Sequence, residues 1–302
     1  MRTRQPLPTV SVVIPTLNEA RNLPHVLPGL PDIVSEVVLV DGGSKDNTIL
    51  MAKELRPDIR ILTQTGKGKG NALMEGFLAS TGEIIVMMDA DGSHDPQEMH
   101  LFVDALIEGA DFAKGSRYIH DGGSGDFTWI RRFGNTCINL LANVCFKVQF
   151  TDLCYGYNAF WRRCLPYLDI DSPGFEVETL MNIRVRKANL KVKEVPSFEA
   201  VRIFGESKLK AFHDGWRIVK TIARERLIET KDPYSSPKIS PVKMKVKESN
   251  LRKLVVSPAS SSRQKCSGDP LRSPGLQGIN ARHHNECPAS PGLPQHSNWT
   301  DC

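Results

Sequence analysis

The triplet Asp89-Ala90-Asp91 carries the strongest chemical signal in this 302-residue sequence. Two carboxylates at positions i and i+2 after a strand can reach one hard cation together. Mg²⁺ or Mn²⁺ bound by one or two carboxylates normally completes its shell with substrate phosphates, and such a cation can neutralise a departing diphosphate. Acidic residues in turns are more often only solvated, but the apolar strand predicted over 83–88 favours a metal site.

The elements that must position these carboxylates alternate between short strands and helices. Strands are predicted over 10–14, 36–40, 59–63, 83–88 and 110–114, and helices over 18–30, 46–55, 70–80 and 96–108. This alternation indicates an α/β fold with a mostly parallel central sheet flanked by helices. Ligands of such sheets bind beyond the carboxyl ends of the strands, which is where the acidic residues collect: Glu19, Asp41, Asp89 and Asp91.

The regular alternation ends near residue 115. Helices are predicted over 128–146 and 176–189, a turn-rich segment over 151–160, and a strand over 190–195. A last helix, 212–229, has basic residues around an apolar stripe formed by Phe212, Trp216, Val219, Ile222, Ala223 and Leu227. A basic amphipathic helix with Trp can lie in a bilayer interface or pack its stripe on the rest of the fold. Both alternatives stay open.

The positive charge of the chain lies in its last part. Residues 230–302 hold 11 Lys and Arg against 5 Asp and Glu, a net charge of +6, whereas the rest of the chain carries −1. A nucleic-acid-binding function therefore loses its main support. With 9 of the 20 prolines and few large apolar residues, this segment is predicted to be a disordered tail.

Several other classes of protein are excluded. The best candidate for a membrane span, 133–150, is interrupted by polar residues at Asn135, Asn139, Asn143 and Lys147. The N-terminus lacks the pattern of a secretory signal. Seven cysteines without a CxxC pair are typical of reduced thiols in the cytosol rather than of structural zinc. We expect a cytoplasmic protein whose contact with the membrane face, through helix 212–229, helix 128–146 or the tail, would be peripheral.

Four segments match a known pattern in order: VSVVIPTLNE at 10–19, VLVDGGSKD at 38–46, GKGKGNA at 66–72 and MDADGS at 88–93. Together they resemble the family 2 glycosyltransferases of the GT-A, Rossmann-like fold. The resemblance extends through 115–118, 152–160, 174–178 and 202–208, and covers about 10–225. It is greatest to dolichyl- or polyprenyl-phosphate mannose synthases and related bacterial polyprenyl-phosphate hexosyltransferases.

The resemblance implies a donor site and a metal site. It assigns nucleotide-sugar binding to Pro15, Leu17, Glu19, Asp41, Lys69, Asp89, Ala90 and Asp91, with Asp41 on the base and Lys67 as a further candidate for phosphate or ribose. Asp89 and Asp91 would hold Mg²⁺ or Mn²⁺. Ser93 stands where related enzymes place a third, variable ligand, often Gln, and could act directly or through water.

The resemblance also implies an acceptor site. Arg117, Arg131, Arg202 and Lys208 match cationic positions that hold the donor diphosphate and the acceptor phosphate, with Arg132 as the alternative to Arg131. A guanidinium suits phosphate because its fork donates two hydrogen bonds at once. The expected catalytic set is Asp89, Asp91, Arg117 and Arg202.

Glu176 and Glu178 have two interpretations. In relatives that glycosylate a hydroxyl, a carboxylate in this region looks like the general base, and Glu178 is the candidate here. A lipid phosphate is already anionic and needs no strong base. Both residues can equally be acids at a helix N-terminus.

The implied activity is inverting, metal-dependent transfer of a hexose from a nucleotide-diphospho-sugar, such as GDP-mannose or UDP-glucose, to a polyprenyl phosphate. One alternative is a family 2 enzyme acting on a sugar or another hydroxyl, and another is a nucleotide-sugar pyrophosphorylase, whose GxGxRL-type signature is missing. The expected organisation is an arm at 1–9, a nucleotide-sugar-binding half at 10–115, an acceptor-binding half at 116–229, and the tail at 230–302.

Overall fold

The computed structural model describes residues 7–126, 128–206 and 211–228. The predicted tail, the first six residues of the arm and Lys208 lie outside these ranges. In chain order the elements are β1 (Val10–Thr16), α1 (Leu23–Val26), β2 (Val34–Asp41), α2 (Thr48–Leu55), β3 (Arg60–Thr63), α3 (Lys69–Ala79), β4 (Ile84–Met87), α4 (Met99–Ile107), β5 (Phe112–Ser116), β6 (Gly123–Ser124), α5 (Trp129–Phe146), β7 (Asn158–Trp161), α6 (Leu165–Leu168), α7 (Val177–Lys187), β8 (Val192–Pro196), β9 (Phe198–Glu199) and α8 (Ala211–Leu227).

Seven strands form the central sheet in the order β3-β2-β1-β4-β7-β5-β8. Every neighbouring pair is parallel except the two pairs that contain β7. The prediction of a mostly parallel sheet flanked by helices is confirmed. The strand β7 was missed because it lies at the end of the segment 151–160, which was predicted to be turns.

Successive residues of the central strands enter the cores on opposite faces of the sheet. In β1, Val12 and Ile14 pack into the core that contains Phe102 of α4, whereas Val13 packs into the core that contains Phe77 of α3. All five side chains are fully buried. Strands buried on both faces read as continuous apolar runs, which explains why β1, β2 and β4 are easy to find in the sequence.

The helix predicted over 18–30 is much shorter. Asn18 adopts a left-handed φ of 59°, and α1 begins only at Leu23, with a proline in its first turn. It passes within one turn into a 3₁₀ helix at Leu27–Gly29, which contains Pro28. Two prolines four residues apart interrupt the α-helical hydrogen bonds, and the freed residues 17–22 form a loop at the end of β1.

The helix α5 buries a largely polar face and α8 a mixed one, and both helices expose large apolar side chains. In α5 the buried residues are Asn135, Asn139 and Ala142, while Trp129, Phe133 and Val144 are 78%, 68% and 71% exposed. In α8 the buried face consists of Asp214, Ile218, Thr221, Ile222 and Glu225. Of the two alternatives for the apolar stripe of α8, packing on the fold holds for Ile222, which is buried, but not for Phe212, Trp216 and Leu227, which are exposed.

Candidate active site

The predicted site residues meet in a cleft at the carboxyl ends of β1 and β4. The cleft encloses about 800 Å³, within the range of small-molecule sites. Parallel strands end at the same edge of a sheet, so residues that are distant in sequence come together there. Most of the predicted site residues line it: Pro15, Leu17, Glu19, Lys67, Lys69, Asp89, Ala90, Asp91, Ser93, Arg117, Arg131, Glu178 and Arg202.

The loop after β1 forms one side of the cleft. Pro15 lies within β1, and Leu17 is partly exposed. Glu19 is 6% exposed; its amide donates to Thr48 Oγ1 at 2.9 Å, and its carboxylate accepts from Asn22 Nδ2 at 2.6 Å. Glu19 is thus a fixed anionic group in the wall of the cleft.

Asp41 lies at the end of β2, as predicted, but outside the lining of the cleft. Its carboxylate is 2% exposed and accepts hydrogen bonds from the amides of Gly43 and Ser44, at 3.0 Å each. The next residue, Gly42, does line the cleft. In this arrangement Asp41 shapes the turn, and its contact with a base stays a prediction.

The glycine-rich loop 66–70 packs closely against the segment before α7. A Cβ at Gly68, which has a φ of 88°, would lie 2.2 Å from Pro173 O, and one at Gly70 would lie 1.9 Å from Ser172 O. Only glycine permits such an approach. The loop ends in α3, whose first residue is Lys69, so this contact fixes where Lys69 enters the cleft.

Lys69 joins two carboxylates from different parts of the chain. Its Nζ lies 2.7 Å from Asp89 Oδ1 and 2.8 Å from Glu178 Oε1. Burial alone would lower the pKa of Lys69, but the charges of Asp89 and Glu178 outweigh burial and raise it. Burial raises the pKa of Glu178, and the ammonium of Lys69 offsets this in part. Lys69 therefore stays charged and ties α3, the loop after β4 and α7 together.

The turn after β4 presents the predicted metal ligands. Asp91 Oδ1 accepts from the amide and the hydroxyl of Ser93, at 3.0 and 2.6 Å. Gly92, with a φ of 79°, allows the turn to reverse. Behind the turn, the amide of Asp89 donates to His94 Nδ1 at 3.2 Å, and the His94 ring stacks on Tyr157. Burial lowers the pKa of His94, so a neutral imidazole supports the turn.

The donor set of this turn fits Mg²⁺ or Mn²⁺ that is shared with a phosphate ligand. Among residues 7–126, 128–206 and 211–228, no group of three or more His, Cys, Asp or Glu side chains could hold a metal alone. Mg²⁺ commonly uses one or two carboxylates and takes its other ligands from water and substrate phosphates, and Asp89 and Asp91 offer two carboxylates facing the cleft. They are the residues that would hold the cation, while Ser93 orients Asp91 through its hydroxyl.

Arg202 connects the loop after β1 to the turn after β4. Its Nη1 lies 3.1 Å from Glu19 Oε1, and its Nη2 lies 3.1 Å from Asp91 Oδ2. The segment around it is held to the same turn, because the amide of Ile203 donates to Asp91 O. Lys208, predicted to act beside Arg202, lies outside the described residues.

Arg117 is held from both sides. Its Nε donates to Asp152 Oδ2 at 2.6 Å and its Nη1 to Glu199 Oε2 at 2.8 Å. Its guanidinium lies 4.9 Å from the centre of the Tyr155 ring. Burial alone would lower the pKa of Arg117, but the hydrogen bonds and charge of Asp152 outweigh it and raise the pKa. The side chain is 10% exposed, so Arg117 offers the cleft a fixed cation.

The remaining predicted residues occupy different positions. Arg131, at the start of α5, pairs with Asp126 and lines the cleft, whereas Arg132 does not. Glu178 lies in the first turn of α7 and lines the cleft. Glu176 instead accepts from Arg217 Nη2 at 2.8 Å and fastens α8 to the start of α7, which favours its structural interpretation.

The sequence did not assign a role to three residues that support the site. Asp152 and Glu199 orient Arg117, and His94 supports the turn that contains Asp89 and Asp91. Asp152 belongs to a segment that the family resemblance includes, but nothing marked it as the partner of Arg117. Glu199 lies in β9, a two-residue strand without a pattern that sequence reading could find.

Comparison with known proteins identifies the family. Residues 11–167, more than half of the chain, match Glycosyl transferase family 2. Over 220 residues the chain is 34% identical to the polyprenol monophosphomannose synthase of Mycolicibacterium smegmatis, covering 68% of this chain and 83% of that protein. It is 31% identical over 210 residues to the dolichol-phosphate mannosyltransferase of Pyrococcus furiosus, covering 67% of this chain but only 59% of that protein.

A solved structure has the same fold. It is the glucosyl-3-phosphoglycerate synthase of Mycobacterium tuberculosis in complex with Mn²⁺, uridine diphosphate and glucosyl-3-phosphoglycerate, and it aligns with a TM-score of 0.59 at 24% identity. The alignment covers 74% of this chain and 82% of that one. The family match, the relatives and the fold agree: this chain belongs to glycosyl transferase family 2 and is a glycosyltransferase of the GT-A fold.

Proposed function

We propose that this glycosyltransferase moves a hexose, with inversion, from a nucleotide-diphospho-sugar to a polyprenyl phosphate, and that Mg²⁺ or Mn²⁺ is its cofactor. The observation that carries the proposal is the composition of the cleft described above. It contains the Asp89–Asp91 turn, three arginines (Arg117, Arg131 and Arg202), and apolar side chains of α5 and α8.

The donor end of the cleft suits a nucleotide diphosphate. The loop after β1 and the glycine-rich loop lie at the carboxyl ends of parallel strands, where such folds bind nucleotides. Arg202 and Lys69 would bind phosphate oxygens in exchange for their present carboxylate partners, Glu19 and Asp89. When bound at Asp89 and Asp91, the cation would neutralise negative charge on the leaving diphosphate.

The acceptor end suits an anionic lipid headgroup. Arg117 and Arg131 lie in the same cleft as Ile130, Ile138 and Ile218, so a phosphate and an apolar chain both have partners there. A phosphate oxygen is already a nucleophile and needs no strong base. The arginines would therefore act by holding the acceptor phosphate close to the sugar, with its charge partly balanced.

The names of the relatives support the choice of substrates. The protein from Mycolicibacterium smegmatis is a polyprenol monophosphomannose synthase and that from Pyrococcus furiosus is a dolichol-phosphate mannosyltransferase. GDP-mannose is accordingly the first donor to test, before UDP-glucose. The Mn²⁺ bound with uridine diphosphate in the glucosyl-3-phosphoglycerate synthase supports a divalent cofactor.

A lipid acceptor also requires contact with a membrane, which we place on α5 and α8. Trp129 and Phe133 of α5 and Phe212 and Trp216 of α8 are between 60% and 91% exposed, and α8 adds basic residues such as Lys220. Exposed apolar and basic residues together favour an anionic bilayer surface. No described helix is long and apolar enough to cross a membrane. The proposed location is the cytoplasmic face of the membrane, in peripheral contact.

A second candidate function rests on Glu178. This carboxylate is buried in the cleft wall with a pKa above its ordinary value because of burial, a property of general bases. A hydroxyl acceptor would need such a base. In that case a sugar or another alcohol, rather than a lipid phosphate, would receive the hexose.

The test is a matrix of donors and acceptors. Purified protein is incubated with GDP-mannose, GDP-glucose or UDP-glucose and with a short polyprenyl phosphate, the matching polyprenol or a soluble sugar, each with Mn²⁺ or EDTA. Metal-dependent transfer to the phosphate but not to the alcohol supports the proposal. Transfer to an alcohol that is lost in Glu178→Ala supports the second candidate.

The membrane contact has a separate test. Full-length protein and a variant without 231–302 are sedimented with anionic vesicles at low and high salt. We expect binding that salt weakens and that decreases without the tail, while activity on a water-soluble short-chain acceptor survives. Equal binding by both proteins would show that the tail does not contribute to membrane binding. Loss of activity on the soluble acceptor after truncation would show that catalysis needs the tail.

A further inference from the structure

Three asparagines of α5 face the inside of the protein. Asn135, Asn139 and Asn143 follow one another at four-residue spacing, which places them on one face of the helix. Asn135 and Asn139 are 8% and 7% exposed. These asparagines interrupt the apolar run at 133–150 in the sequence. They are buried while apolar residues of the same helix, such as Phe133 and Val144, are exposed. Hydrophobic packing therefore does not explain their position.

The asparagines hold the buried segment 150–153. Asn139 Nδ2 donates to Thr151 O at 2.5 Å, and its Oδ1 accepts from the amide of Leu153 at 2.9 Å. Asn143 makes the same pair of bonds with the main chain of Phe150, at 2.9 and 3.0 Å. Irregular buried backbone must find such partners because water cannot reach it. Asn139 therefore binds the main chain on both sides of Asp152, at Thr151 and at Leu153.

Asp152 links the position of this segment to the position of Arg117. Its side chain is fully buried, and its two oxygens accept from Nε and Nη2 of Arg117 at 2.6 and 2.9 Å. This bidentate pair fixes the plane of the guanidinium. On the other side of the segment, the ammonium of the buried Lys114 donates to Asp152 O. The orientation of Arg117 thus depends on where the segment 150–153 lies, together with Glu199, which accepts from Nη1 of Arg117, and Asn135, whose Nδ2 donates to Asp152 Oδ1 at 3.1 Å.

We infer that Asn139 is a positioning residue for the acceptor phosphate and acts through Asp152 on Arg117. The inference rests on the proposed function, in which Arg117 binds that phosphate. Asn139 itself does not line the cleft, so its effect on the acceptor must be indirect, and its hydrogen bonds assign that effect to the segment 150–153. A displacement of about 1 Å in such a group can cost on the order of a hundredfold in rate.

Asn143 provides a matched control. It lies on the same helix and makes the same two bonds to the same segment, but its partner Phe150 precedes Asp152 by two residues. We compare Asn139→Leu with Asn143→Leu in the full-length protein, measuring thermal unfolding and KM for the donor and for a short polyprenyl phosphate. Both variants should unfold at lower temperature, because both leave main-chain groups without partners.

The two variants should differ only toward the acceptor. Asn139→Leu should raise KM for the polyprenyl phosphate by roughly tenfold or more, and Asn143→Leu by less than about twofold, with the donor KM unchanged in both. In an Arg117→Lys background, Asn139→Leu should add little to the acceptor KM. If Asn139→Leu does not fold, Asn139→Asp replaces it, because it keeps the bond from Leu153 and loses the one to Thr151.

Equal acceptor KM in the two variants, or parallel changes for donor and acceptor, would overturn the inference and leave Asn139 a purely structural residue. An Arg117→Ala variant separates this failure from failure of the proposed function. If Arg117→Ala leaves the acceptor KM unchanged, the role of Arg117 in binding the acceptor is wrong. If Arg117→Ala raises it and Asn139→Leu does not, only the inference about Asn139 is wrong.

Discussion

Glu225→Gln tests how α8 is fastened to the catalytic fold. Glu225 is buried between α7 and α8, with a side chain 1% exposed. It lies 2.8 Å from Arg184 Nη2 and 3.2 Å from Lys187 Nζ. Removing one partner of a buried ion pair costs about 3–5 kcal/mol, because the other charge stays buried without compensation. Arg184 keeps a second carboxylate, Asp171, at 3.0 Å, so we expect a loss near the lower end, about 3 kcal/mol.

The pKa of Glu225 determines how this loss of stability changes with pH. Burial alone would raise the pKa of Glu225, but the hydrogen bond and charge of Arg184 outweigh burial and lower it. A carboxylate with a lowered folded-state pKa contributes stability above its unfolded pKa, and this contribution is lost as the pH falls through the folded value. The difference in unfolding free energy between wild type and Glu225→Gln should therefore stay constant from about pH 7 to about pH 5 and narrow as the pH falls below the unfolded pKa of glutamate, about 4.3.

Urea denaturation followed by circular dichroism measures this difference. Glu108→Gln is the matched control, because Glu108 also pairs with a lysine, Lys193, but its side chain is 62% exposed. An exposed pair contributes about 0–1 kcal/mol, so this variant should unfold almost like the wild type. A loss below about 1 kcal/mol for Glu225→Gln, or a difference that grows on acidification, would refute the reasoning.

Three further predictions concern the cleft. Asp91→Ala should abolish transfer with an unchanged circular dichroism spectrum, because the cation would lose a charged ligand; near-normal turnover by the variant in a chelator would contradict the metal site. Arg202→Ala should cost about 1.5–3 kcal/mol in kcat/KM, the range for a hydrogen bond to a charged group; wild-type kinetics with a polyprenyl phosphate would count against its role. Gly70→Ala should weaken binding of a nucleoside diphosphate in calorimetry, because the new Cβ would meet Ser172 O and displace Lys69. Gly134→Ala is its control, since a Cβ there meets nothing within 4 Å, and unchanged affinity in Gly70→Ala would contradict the argument.

The parts of the fold that sequence predicted are those with local signals. The strands β1, β2 and β4 are apolar runs, and the glycine-rich loop and the Asp89–Asp91 turn have recognisable spacing. The strand β7 consists of four residues, Asn158–Trp161, whose pairing partners lie more than 40 residues away. A strand defined by such distant neighbours has too weak a local pattern to be found.

In the candidate site, too, some residues could be predicted from the sequence and others could not. The predicted residues that line the cleft were assigned mostly from the family resemblance, while Glu19, Asp89 and Asp91 were also indicated by their positions at strand ends. The groups that orient them were not, since the link from Asp152 to Arg117 exists only after residues 35 positions apart meet. The inward face of α5 was unpredictable for a related reason: hydrophobic spacing predicts that apolar residues are buried, whereas here Asn139 is buried to satisfy a neighbouring backbone.

The position of β7 in the sheet has a consequence for how the protein folds. β5 pairs with β7 and β8, both of which follow it in the chain, and with none of the earlier strands. During synthesis, β5 must therefore wait for at least 40 more residues, until β7 fills the gap beside β4. Such late, long-range strand pairing slows folding and leaves unpaired strand edges exposed to aggregation. A fragment that stops near residue 115 would retain β1 to β4 but lack β7, the strand that joins β4 to β5 in the sheet.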